Sequence, residues 1–82
     1  MIQLRVLVSL KTSVFDPQGK TTLEALHGLG YKAATDLRQG KSFLLSFDGV
    51  TEEEARRQAE EMAGKVLSNP VIESFKIERV GG

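Results

Sequence analysis

Few side chains of this chain could do chemistry. His27 is the only histidine, and the 82 residues contain no cysteine, so a Cys-based metal site and a thiolate nucleophile are excluded, and His27 has no cysteine or second histidine with which to share a metal. The run Glu52-Glu53-Glu54 offers carboxylates for acid–base work, but it directly follows Thr51 as in a capping box. Negative charge is favoured in the first turn of a helix. These residues therefore predict a helix start, and we expect no catalytic residue and no metal ligand.

Four basic residues near predicted turns could hold an anion: Lys11, Lys20, Arg38 and Lys41. The eleven basic residues are balanced by eleven acidic ones, so the chain has no strong field to attract nucleic acid or a membrane surface. Gly28-Leu29-Gly30 ends a predicted helix, whereas a phosphate loop opens one. We interpret the four residues as surface charge, and we expect no bound cofactor, no nucleic-acid partner and no membrane partner.

The most informative segment is Asp16-Pro17-Gln18-Gly19. Asp16 can cap a helix, and Pro17 suits the first helical position. Gly19 is unusual there, because glycine weakens a helix by about 1 kcal/mol relative to alanine. A glycine in the first turn indicates that something approaches the backbone closely. With no catalytic group to explain it, we expect the function to lie in contacts with partners.

The hydrophobic pattern predicts six elements around this segment. A strand over residues 2–10 precedes a helix over 17–29, whose left-handed cap is Gly30. Two further strands, 33–38 and 41–48, flank a hairpin turn at Gln39-Gly40. Thr51 caps a second helix that Asn69-Pro70 stops, and a last strand follows over 71–80. Gly81-Gly82 is predicted to be a frayed end.

This order predicts one domain, residues 1–82, of the α+β class. The expected fold is a two-layer ferredoxin-like sandwich, β-α-β-β-α-β, with both helices on one face of an antiparallel sheet. The first and third strands would be central, and the second and fourth would be edges. The open face carries no aromatic residue, which argues against RNA binding. An effector-binding module remains an alternative, in which the loop after the first strand contacts a small molecule between paired domains.

Five segments of the chain resemble the PurS family, the small subunits of phosphoribosylformylglycinamidine synthase in purine biosynthesis. They occur in the family's order and span nearly the whole chain: Val8-Ser9-Leu10-Lys11, Val14 with Asp16-Pro17-Gln18-Gly19, Leu29-Gly30-Tyr31, Leu37-Arg38-Gln39-Gly40-Lys41, and Leu67-Ser68-Asn69-Pro70-Val71-Ile72-Glu73. The departures are Phe15, Ser68 and Ser74. None of them falls on a glycine or a proline.

The apolar runs are far shorter than a membrane span and the N-terminus does not resemble a signal peptide, so we expect a cytoplasmic protein. The resemblance implies a non-catalytic subunit that forms a homodimer, with the pairing of dimers into tetramers left open. In that family a glutaminase subunit releases ammonia, and a large synthetase subunit uses ATP and Mg²⁺ to form the amidine. The small subunit resembles a bridge between these two partners. By resemblance, nine residues are expected to contact partners: Asp16, Pro17, Gln18, Gly19, Arg38, Gly40, Lys41, Asn69 and Glu73.

Overall fold

The computed structural model describes residues 1–81, and it contains two α-helices and a sheet of three strands. Gly82 lies outside the described residues. Gly81, predicted to fray with it, instead belongs to the last strand, where it pairs with Gln3. The elements in chain order are β1 Ile2–Leu10, α1 Pro17–Gly28, β2 Gly40–Phe47, α2 Glu52–Met62, a π-helical turn Ala63–Leu67, and β3 Glu73–Gly81.

The sheet is antiparallel throughout, and its strand order is β2-β1-β3. Alternate residues of β1 point to one face, so Leu4, Val6 and Val8 are fully or almost fully buried. Val6 lies opposite Phe43 of β2 and Ile77 of β3, which places the apolar residues of all three strands on the same face. This face of the sheet forms one side of the hydrophobic core.

Helix α2 covers that face. Thr51 caps it as the sequence predicts, since its hydroxyl accepts a hydrogen bond from the Glu54 N–H at 3.2 Å. Ala55, Ala59 and Ala63 are fully buried against the β1 residues. Because alanine side chains are short, the helix backbone lies close to the sheet. Within residues 1–81 no helix is long and apolar enough to cross a membrane.

The α+β class, with its antiparallel sheet and two helices, is confirmed, but the segment at 33–38 differs from expectation. It is not a strand, and among residues 1–81 no backbone hydrogen bond pairs it with one. The hairpin is absent because Gly40 directly begins β2, where it pairs with Ser9. As a result β2, expected at the centre, is an edge strand, and β1 alone is central.

Helix α1 also lies differently from expectation. Its start at Pro17 is as predicted, and Gly30 takes the expected left-handed conformation, with φ at 101°. Yet the helix that packs on the sheet is α2, and α1 has no comparable contact with it. Instead α1 packs against residues 33–39. We call residues 17–39 the arm. The chain is therefore elongated, with dimensions of 50 × 28 × 14 Å.

Candidate functional site

The start of α1 is built around Asp16. Its backbone is extended, and its Oδ1 accepts a hydrogen bond from the Gly19 N–H at 2.9 Å. Pro17 occupies the first turn, where its missing N–H leaves no bond unmade. The helix cap predicted from the sequence is therefore confirmed.

The second carboxylate oxygen of Asp16 joins α1 to the segment that follows it. Oδ2 accepts a hydrogen bond from the Gln39 N–H at 2.7 Å, and Asp16 is only 6% exposed. Both bonds favour the ionised form and so hold the pKa of Asp16 below its ordinary value. The Gln39 bond contributes most to this lowering, and the Gly19 bond contributes next. The positive charge of Arg38 adds to the lowering of this pKa. Asp16 is thus ionised at the junction near neutral pH.

Gly19 is needed because the backbone of this same chain crosses it. A Cβ at Gly19 would lie 2.3 Å from the carbonyl oxygen of Leu37 and 2.7 Å from Asp16 Oδ2. Real Cβ atoms essentially never come that near to another atom. The close approach expected at Gly19 is real, and the approaching group belongs to the arm itself.

Three further side chains fix the segment that crosses α1. Arg38 Nη2 donates to the carbonyl oxygens of Lys11 at 2.9 Å and Val14 at 2.7 Å. Thr22 donates to Gln39 Oε1 at 3.1 Å, and His27 Nε2 donates to the carbonyl oxygen of Ala34 at 2.7 Å. These bonds make α1 and residues 33–39 one unit, and they give His27 a structural role.

The arm meets the sheet at a cleft of about 330 Å³. Lys41 Nζ lies 3.9 Å from Glu73 Oε2 in its wall, and Glu73 Oε1 accepts from the Asn69 N–H at 2.7 Å. The cleft therefore joins the three segments expected to contact partners. Its lining residues are Ser9, Leu10, Asp16, Gln18, Gln39, Gly40, Lys41 and Glu73.

Five of the nine expected contact residues line this cleft: Asp16, Gln18, Gly40, Lys41 and Glu73. The other four lie outside its lining. Pro17, Arg38 and Asn69 are exposed, whereas Gly19 is buried beneath the crossing segment. Sequence reasoning did not name Ser9 or Leu10 as contact residues, and it included Gln39 only as part of the turn over residues 38–41. The end of the alternating strand could have pointed to the first two.

The described residues provide no arrangement for catalysis. Among residues 1–81 no three His, Asp or Glu side chains are grouped to hold a metal ion. Three glutamates of α2 are paired with arginines: Glu52 lies 3.4 Å from Arg56, and Glu54 and Glu61 are both bonded to Arg57. The bond from Arg57, followed by that from Gln58, lowers the pKa of Glu54 to about 2. Glu54 therefore cannot serve as a general acid near neutral pH.

Comparisons with a protein-family model and with curated proteins point to one family. Residues 3–81 match the family model described as PurS: Phosphoribosylformylglycinamidine (FGAM) synthase. The PurS subunit of that synthase from Archaeoglobus fulgidus is 40% identical over 72 residues, covering 88% of this chain and 90% of the relative.

Two solved structures extend the comparison. PurS of Methanocaldococcus jannaschii, described as a subunit of formylglycinamide ribonucleotide amidotransferase in the purine biosynthetic pathway, superposes with a TM-score of 0.89 at 30% identity, covering 100% of this chain and 99% of that one. A chain in the structure of PurLQS from Thermotoga maritima gives 0.89 at 25% identity, covering 96% of each chain. These relatives give no support to the effector-module alternative.

Proposed function

Since this chain belongs to the PurS family and is the PurS subunit of the FGAM synthase ligase complex, we propose that it bridges the glutaminase and synthetase subunits of that complex as a homodimer. The proposal includes ammonia transfer between those two partners. It places the chain in the cytoplasm and assigns ATP and Mg²⁺ to the synthetase subunit, with no cofactor on this chain.

The observation that carries this proposal is the convergence of three segments on one cleft. Asp16-Pro17-Gln18-Gly19, residues 38–41 and residues 69–73 are distant in sequence but meet where β1 ends and β2 begins. Gln18 and Lys41 are exposed there, so a partner can reach them. A surface assembled from three chain segments and lacking a catalytic group fits docking better than chemistry.

Five of the nine expected residues divide by role. Asp16 and Gly19 are buried, and their contacts hold α1 and the crossing segment of the arm together. Arg38 fixes the neighbouring loop through two main-chain carbonyls. The exposed Gln18 and Lys41 are the residues best placed to contact a partner directly. We therefore propose that Asp16, Gly19 and Arg38 shape the contact surface, and that Gln18 and Lys41 make the contacts.

Reconstitution tests the bridge. Synthetase activity of the glutaminase and large subunits is measured with and without this chain, using either glutamine or ammonia as the nitrogen source. A bridge is needed with glutamine and far less with ammonia, because only glutamine requires transfer between sites. If adding the chain changes neither rate, it does not couple the sites.

A matched pair of charge reversals tests the contact surface. Lys41→Glu changes the cleft wall, whereas Lys65→Glu changes an exposed lysine in the π-helical turn. We expect the first variant to require at least about tenfold more protein for full glutamine-dependent activity, a change worth roughly 1.4 kcal/mol. The second should match the wild type. If both variants need the same amount of protein for full activity, the cleft is not part of the docking surface.

A further inference from the structure

The turn between β2 and α2 contains an aspartate followed by a glycine. Asp48 and Gly49 come directly after Phe47, the last residue of β2, and Thr51 caps α2 two residues later. In such a pair the backbone nitrogen of the glycine can attack the side-chain carboxyl carbon of the aspartate, because the two atoms close a five-membered ring. The attack needs a nitrogen that carries a hydrogen, is not held by another group, and is not crowded by a side chain.

The other residues of the chain that could undergo this ring closure are blocked. The chain has three aspartates and one asparagine. Asp16 and Asn69 are each followed by a proline, whose nitrogen carries no hydrogen. Asp36 is followed by Leu37, whose N–H donates to Asp36 Oδ1 at 3.0 Å and whose side chain crowds the nitrogen. Asp48 is the one that remains.

The surroundings of Asp48 leave the reaction open. Its side chain is 82% exposed, and its ionic neighbour is the Met1 ammonium at 3.8 Å, an exposed pair that holds it only weakly. Among residues 1–81 no hydrogen bond engages the Gly49 N–H. Even a Cβ at Gly49 would meet no atom within 4 Å, and the φ of 76° is one that glycine adopts at no steric cost. The attacking nitrogen is therefore both free and uncrowded.

We propose that Asp48-Gly49 is a site of isoaspartate formation. The Gly49 nitrogen forms a bond to Asp48 Cγ, and its hydrogen leaves with the carboxyl hydroxyl as water, which gives a cyclic imide. Water then adds to one of the two imide carbonyls. Opening of the bond to Cγ restores aspartate, whereas opening of the original peptide bond leaves the main chain running through Cγ. The water lost is regained, so the product has the same mass as the starting chain.

The structure gives this change a consequence for α2. The two residues of the site join Phe47 to Val50, and both of these pack against the core cluster that contains Leu4. Isoaspartate adds one carbon to the main chain between these two packed residues. Thr51, whose hydroxyl accepts from the Glu54 N–H at 3.2 Å, follows directly. The change therefore displaces the start of the helix that covers the core.

The site is separate from the cleft proposed to contact partners. Phe47 pairs with Ile2 at the start of β1, whereas the cleft lies where β1 ends at Leu10. Isoaspartate formation is thus independent of the bridging proposal, and the failure of either leaves the other untouched.

Ageing of the folded chain tests the site. The chain is kept for several weeks at neutral pH and physiological temperature and is then cut with trypsin, which releases residues 42–56 with Asp48 as their one aspartate. We expect a second chromatographic peak of the same mass, which electron-transfer fragmentation identifies as isoaspartate at position 48. The control Asp48→Glu keeps the charge but closes a six-membered ring far more slowly, so it should lose this peak.

An independent readout counts the product directly. A protein isoaspartyl methyltransferase with labelled S-adenosylmethionine should label the aged wild type and leave the aged Asp48→Glu variant unlabelled. Equal labelling of the two would overturn the proposal, and so would isoaspartate found mainly at Asp36. A synthetic peptide of residues 42–56 shows that the assay detects the reaction. If the peptide forms isoaspartate and the folded chain does not, the fold protects the turn and the proposal is wrong.

Discussion

Replacing Gly19 with alanine is the most direct test of how the arm is held together. The substitution gains about 1 kcal/mol of helix propensity. Against this, the new Cβ would lie 2.3 Å from the Leu37 carbonyl oxygen and 2.7 Å from Asp16 Oδ2. Both contacts are shorter than atoms tolerate, and one of them is with backbone, so the crossing segment must move away.

The cost of that movement exceeds the gain in helix propensity. Overpacking of this kind costs typically about 1–3 kcal/mol. The shift also strains the Asp16–Gln39 hydrogen bond, and a bond to a charged group contributes about 1.5–3 kcal/mol. We therefore expect Gly19→Ala to lower the free energy of unfolding by roughly 1–3 kcal/mol after the helix gain is subtracted.

The control lies in the same helix. A Cβ at Gly28 meets no atom within 4 Å, so Gly28→Ala should stabilise the chain by about 0.5–1 kcal/mol. At 4–8 °C per kcal/mol for a domain of this size, the two variants should differ by at least about 6 °C in Tm. Circular dichroism melts at one fixed protein concentration measure this, because the proposed dimerisation would make Tm depend on concentration. If Gly19→Ala melts as high as Gly28→Ala, residues 37–39 do not cross α1 as described.

Three further predictions follow from other contacts. Leu4→Ala should lower the free energy of unfolding, measured in urea, by about 2–5 kcal/mol because the side chain is 0% exposed. The control Leu44→Ala, at a site 54% exposed on the other face of the sheet, should change it by less than about 0.5 kcal/mol. Arg38→Gln should lower the free energy of unfolding by about 1–2 kcal/mol, because it removes the hydrogen bonds of Arg38 to two main-chain carbonyls. The control Arg56→Gln breaks an exposed ion pair and should lower it by at most about 1 kcal/mol. Because the folded-state pKa of Asp16 lies below its ordinary 3.8, its stabilisation is complete above that value and is lost as pH falls through 3.8 towards the lower folded-state pKa. The Tm should therefore fall less steeply from neutral to acidic pH for Asp16→Asn than for the wild type. Equal slopes would contradict the lowered pKa of Asp16.

The sequence by itself determined the local elements, because their signals are local. Asp16-Pro17 starts α1, Gly30 ends it in the left-handed conformation, and Thr51 caps α2. The alternation in residues 2–10 specified β1 and its buried face. Such features depend on hydrogen bonds and side-chain spacing within a few residues, so a single chain segment contains all the information.

The sequence also directed the search towards contacts with partners. Several kinds of catalysis and metal binding need histidine or cysteine, and this chain has one histidine and no cysteine. The five segments that resemble the PurS family were sufficient to indicate the family, which the comparisons then confirmed. Which residues of this chain contact its partners stays a prediction.

Only the tertiary structure decided where residues 33–38 go. Their sequence suits a strand, and Gln39-Gly40 suits a two-residue turn, so local rules favour a hairpin. The structure instead uses the Gln39 N–H to bond Asp16, 23 residues away in sequence, and it uses Gly40 to begin β2. A long-range hydrogen bond and the crossing over Gly19 outweigh the local turn preference. The same contacts bring three distant segments to one cleft, which no local pattern in the chain could show.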